Sequence, residues 1–142
     1  MSEGFDVGRI GGVKGLAALE DVARRAGDAA LKHFRHGVVP EKKPVRSPVT
    51  VADREAEEII REHVLAAHPD AGFLGEETGT VKGSTGIRFI VDPIDGTRAF
   101  VRGWSTWSVL LGIEADGVPV VGIAYMPAAE DFFSGVLGGG AT

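Results

Sequence analysis

The run Ile90-Val91-Asp92-Pro93-Ile94-Asp95-Gly96-Thr97 carries the densest chemistry in the chain, because an apolar strand delivers two carboxylates to its end. Proline lacks a donor and disfavours the helical region for the residue before it, so Asp92 is held extended and Asp95 follows on a turn. Two acids so placed can converge on one cation. Gly96 and Thr97 open a short predicted helix through Phe100, whose free amides suit a phosphate oxygen. The same octapeptide also reads as a turn followed by an N-cap.

Two further acidic segments add to it. Gly75-Glu76-Glu77 follows a short apolar strand, where adjacent acids point to opposite sides, so one acid is expected to face inward. Thr50-Val51-Ala52-Asp53 has the spacing of a capping box, with Thr50 as N-cap, which explains Asp53 without excluding a chemical role at a helix start. His33, His36, His63 and His68 fall on or near predicted helices as surface residues, away from the acids.

The elements that must position these groups follow from the pattern. The segment 1–15 is glycine-rich and expected to be flexible, with order beginning near Leu16. Leu16, Leu19, Ala23, Ala26, Ala30 and Phe34 recur at helical spacing, and Gly37 ends that helix. A second helix is expected from Val51 to Ala67, with Ala52, Ala56, Ile59, Ile60 and Val64 inward. Beyond the turn at Pro69 to Gly72 come five predicted strands: Phe73-Leu74, Ile87 to Val91, Trp107 to Ile113, Val118 to Met126 and Phe132 to Leu137. Asp116-Gly117 is a hairpin turn. Two helices followed by a mainly antiparallel sheet make an α+β layered sandwich, one domain over residues 16–142.

Composition narrows the function. The chain has 142 residues, 44% of them hydrophobic, and a net charge of −5 with fifteen scattered Lys and Arg. No basic field exists for a nucleic-acid backbone. The absence of cysteine removes disulfides and thiolate zinc sites, and no apolar run has the length of a signal peptide or membrane span, so a cytoplasmic protein is expected.

Thr50-x-x-Asp53, Gly75-Glu76-Glu77 and Asp92-Pro93-Ile94-Asp95-Gly96-Thr97 stand in the order and comparable spacing of the inositol monophosphatase signature, and the chain resembles the N-terminal half of that family from Leu16 to Ala141. The resemblance implies that Glu76, Asp92 and the Ile94 carbonyl hold one Mg2+, Asp92 and Asp95 a second, and Asp53 with Glu76 a third. It implies hydrolysis by a metal-activated water oriented by Glu76 and Thr97, with the amides of Gly96 and Thr97 on the phosphate. Lys42 falls where the family has a lysine near the metals, and Gly138 to Gly140 match its glycine bend. A small phosphorylated substrate and a homodimer are implied as well.

Arg98 to Gly103 with Thr106-Trp107, and Ser47 to Thr50, look more like the histidinol-phosphatase branch than the inositol branch. Histidinol phosphate and inositol 1-phosphate are the expected substrates. Phe100, Trp104 and Trp107 are read as core. The family's later portion brings another aspartate to the metals, so a second expectation stands beside the enzyme: a non-catalytic domain that binds metal or a partner.

Overall fold

The computed structural model describes residues 4–34 and 48–142, with side chains from Val51 onward in the second stretch. Gly37, Lys42, Ser47 and His36 lie outside the described residues, as do the side chains of Pro48 to Thr50. Chain order is a 3-10 turn (Val7–Ile10), α1 (Gly12–Leu31), α2 (Pro48–Ala67), β1 (Gly72–Gly75), β2 (Gly79–Val81), β3 (Ile87–Asp95), α3 (Thr97–Val101), β4 (Ser108–Ala115), β5 (Val118–Met126), β6 (Asp131–Val136) and β7 (Gly140–Ala141).

Seven strands form one sheet in the order β2-β1-β3-β4-β5-β6-β7. Only the β1–β3 pairing among them is parallel, because β2 returns antiparallel along one edge of β1 and the chain then reverses to lay β3 along the other. The β4–β5 hairpin turns on Asp116 (φ 54°) and Gly117 (φ 85°), the left-handed pair that matches strand twist. This is the expected α+β sandwich, with α1 and α2 together on one sheet face.

The register shows which face. Phe73, Phe89, Ile113 and Val121 lie side by side across four strands, all buried, as do Val91, Leu111 and Ile123 in the next row. Strand alternation puts the neighbouring rows on the other face: Leu74, Ile90, Gly112, Gly122 and Gly135, then Asp92, Leu110, Ala124 and Phe133. No described helix covers those rows, and Phe133 remains 52% exposed. Asp92 therefore stands on the open face of the sheet.

Several boundaries move from the sequence reading. Helix α1 starts at Gly12 rather than near Leu16 and ends at Leu31, short of Phe34 and of the expected end at Gly37, and the residues before it are organised: Ile10 is fully buried and the Phe5 amide donates to the Leu137 carbonyl at 2.9 Å. Helix α2 starts at Pro48, so Thr50 sits inside its first turn instead of capping it. Strand β3 runs on through Asp95. Pro93 and Ile94 fall in a bulge without β4 partners, where proline's missing donor has no ladder bond to break. Strands β2 and β7, of three and two residues, carry too little pattern to be read from sequence.

Phe100 and Trp107 are core, as expected, at 4% and 0% exposure. Trp104 is not: it is 54% exposed, with the Arg102 guanidinium 5.5 Å from its ring.

Candidate metal centre

Asp53 stands in the second turn of α2, Glu76 just past the end of β1, and Asp92 and Asp95 on either side of the β3 bulge. Parallel pairing of β1 with β3 brings their C-terminal ends together, with Gly75 opposite Val91. Glu76 and Asp92 thus follow adjacent strand ends. Helix α2, which packs against both strands, carries Asp53.

The electrostatics show that the acids share one field. Asp53 is pushed from 3.8 up to about 7, first by burial and then by the charges of Glu77, Asp92, Glu76 and Glu57. Burial also raises Asp92, followed by Asp95 and Glu76, while a bond from the Ile94 amide opposes the shift. None of the described ion pairs involves Asp53, Glu76, Asp92 or Asp95. Mutually repelling oxygens without a cationic side chain are the donor chemistry that suits Mg2+. Among the described residues, however, no three acids or histidines already converge as a finished ligand set.

The shift has a measurable consequence. An acid whose folded pKa lies above its unfolded value binds its proton more tightly when folded, so its ionisation costs stability as pH rises from 3.8 to about 7. Metal-free protein is expected to lose about 1–2 kcal/mol over this window relative to Asp53→Asn, after allowance for solvent screening. Saturating Mg2+ is expected to remove the difference. Thermal unfolding at about pH 5 and about pH 8, with EDTA and with Mg2+, reads both.

Around the acids, Gly96 adopts φ 92° and leads into α3, where an added Cβ would lie 3.3 Å from the Trp107 Cα. Glycine is required there both by conformation and by space. The Thr97 hydroxyl faces the Ile94 carbonyl at 3.4 Å, so two residues assigned to the centre by resemblance are neighbours. Both Asp95 and Thr97 are exposed.

The inward acid is neither Glu76, which is exposed, nor Glu77, which is half-buried. It is Glu57, wholly buried one helical turn after Asp53. Sequence reasoning missed it, although a Glu beside Ala56 on the inward face of α2 breaks the polar-outside pattern. No described histidine contributes to the shifts of Asp53 or Asp92. His33 contacts Glu55 at 3.1 Å, and burial lowers His63 and His68.

A family model described as the inositol monophosphatase family matches residues 14–142. The chain is 38% identical over 122 residues to the histidinol-phosphatase of Chlorobaculum parvum, covering 85% of this chain and 47% of that protein. It is 43% identical over 94 residues to the inositol-1-monophosphatase of Rhizobium meliloti, covering 66% and 35%. The crystal structure of the extragenic suppressor protein SuhB from Bartonella henselae superimposes with a TM-score of 0.77 at 32% identity, over 89% of this chain and 50% of that one. The chain thus spans about half or less of the length of these relatives. Family model, sequence relatives and fold agree with the acidic blocks at the strand ends, and the chain belongs to the inositol monophosphatase family.

Proposed function

We propose that the chain is the metal-binding part of a Mg2+-dependent phosphomonoesterase acting on a small polyol or amino-alcohol phosphate. The observation that carries the reading is the half-buried Asp53 on α2, pushed up to about 7 first by burial and then by the charges of Glu77, Asp92 and Glu76 from the adjacent strand ends.

Glu76, Asp92, Asp95, Asp53 and the Ile94 carbonyl are the groups that would hold Mg2+. When bound, the ion supplies charge neutralisation and Lewis acidity toward the phosphate. Glu76 and the Thr97 hydroxyl orient the attacking water, and the Gly96 and Thr97 amides meet the phosphate oxygens. In the reaction the water oxygen bonds to phosphorus, the ester P–O bond breaks, and the alcohol leaves carrying a proton that came from the water. The side-chain positions on three separate elements support this division of roles.

For substrate, the Arg98 to Trp107 segment and the similarity to a histidinol-phosphatase favour histidinol phosphate, with inositol 1-phosphate second. The reading extends to a homodimer in the cytoplasm. Among the described residues no helix is long and apolar enough to cross a membrane.

The test is release of inorganic phosphate from both esters, by this chain and by any longer polypeptide that carries it. Mg2+-dependent, EDTA-sensitive release is the expected result. A polypeptide that binds Mg2+ yet hydrolyses neither ester sinks the reading.

A second reading, a non-catalytic metal-binding or interaction domain, is favoured by the exposed Leu74 and Phe133 on the open sheet face. It gains if metal binds and no ester turns over.

A further inference from the structure

Glu57 does something in this fold that the metal-site residues do not explain. Its side chain is completely buried, and Oε2 alone accepts three bonds: from the Glu77 amide at 2.9 Å, the Thr78 amide at 2.5 Å and the Thr78 hydroxyl at 2.7 Å. Oε1 is buried without a hydrogen-bond partner. A carboxylate is costly to bury, so these charge-assisted bonds have to offset its lost hydration. All three come from the two residues immediately after Glu76.

The rest of α2 grips the same turn. Arg54, three residues before Glu57, donates to the Glu77 carbonyl at 3.3 Å. Arg61, one turn after it, donates to the Thr78 carbonyl at 3.0 Å and the Thr78 hydroxyl at 3.1 Å. The spacing 54, 57, 61 is one helical face. Gly75 leaves room for the arrangement, since a Cβ there would collide with the Glu57 carboxylate. Residue 75 must therefore lack a side chain because Glu57 occupies its space.

We infer that Glu57 is a positioning residue: by holding the Glu77 and Thr78 amides against α2, it fixes the β1–β2 turn so that Glu76 stays beside Asp53 and Asp92. The same helix carries Asp53 one turn earlier, so Asp53 and Glu76 are set by one rigid body. This rests on the proposed role of Glu76 as a metal ligand. Glu57 touches neither substrate nor cation.

The experiment compares this chain with Glu57→Ala, Glu57→Gln and Thr78→Val in two arms. With Mg2+, calorimetric affinity is measured below the melting temperature of each variant. Glu57→Ala is expected to weaken binding roughly 10–100-fold, the usual scale for a group that orients a ligand. Glu57→Gln keeps an acceptor oxygen for the turn and is expected to stay within about threefold of the parent. Thr78→Val, which removes one donor and leaves the acid, is expected to fall between them, and it replaces Glu57→Ala should that variant not fold.

Without metal, amide exchange at Glu77 and Thr78 is expected to quicken in Glu57→Ala and Thr78→Val while β4 and β5 amides keep their protection. Parent-like Mg2+ affinity in folded Glu57→Ala and Thr78→Val, or unchanged exchange at the two amides in both, overturns the inference. Failure of the parent chain to bind Mg2+ overturns the metal reading instead, and the exchange arm then decides Glu57 alone.

Discussion

Asp92→Asn is expected to remove Mg2+-dependent turnover while making the metal-free protein more stable. The two effects have one cause. Asp92 is raised by burial and by Asp95 and Glu76, so its charge is unfavourable until a cation arrives, and an isosteric amide relieves the repulsion. The same amide is a poor partner for Mg2+. The expected loss in kcat is roughly 10³-fold or more, about 4 kcal/mol of barrier, and it appears in kcat rather than in KM alone. Steady-state kinetics paired with thermal unfolding in EDTA measures both. An Asp92→Asn protein that melts lower in EDTA and keeps its activity contradicts the assignment.

Trp107→Ala is expected to cost about 3–5 kcal/mol. Trp107 is wholly buried and packs edge-on against Phe100 at 4.9 Å and against Phe34 at 5.5 Å. Those rings join the end of α1, the short α3 and the start of β4. Because the Trp107 backbone also abuts Gly96, a cavity here loosens the Asp95-Gly96-Thr97 turn as well as the core. Trp107→Phe separates the contributions. It leaves a smaller void but deletes an indole N–H that is buried without a partner among the described residues, so its cost is expected to stay below about 1.5 kcal/mol. Denaturant unfolding of both variants, with Mg2+ affinity measured in parallel, checks the pair.

The metal centre and the uncovered sheet face are connected. Asp92 shares its strand face with Leu110, Ala124 and Phe133, which no described helix covers. The acids therefore gather at the margin of a surface left open in a chain that spans about half of its relatives' length. This placement is the physical reason for testing phosphate release on longer polypeptides as well as on this one.

Much of this was written in local sequence. Periodicity placed α1 and α2, and alternation with Asp116-Gly117 placed the β4–β5 hairpin, because side-chain period and turn chemistry are local properties. The acidic blocks were equally legible, since a strand ending in Asp-Pro-x-Asp-Gly-Thr carries its own geometry through proline and glycine. What local sequence could not supply was which distant groups meet. Trp104 and Trp107 lie three positions apart, yet one is exposed and the other wholly buried, because Trp107 leads into β4 and packs on Phe34 and Phe100 while Trp104 stands in the turn before it. Glu57 had no place in the sequence reading; its role comes from the β1–β2 turn, which presents three donors to one of its oxygens. The sequence determined the carboxylates and the type of the elements that carry them, since both depend on neighbouring residues, though the bounds of α2 and β3 moved. Only the tertiary fold decided which acid would be buried and how β1, β3 and α2 would aim the others, since that depends on register and packing between segments far apart in the chain.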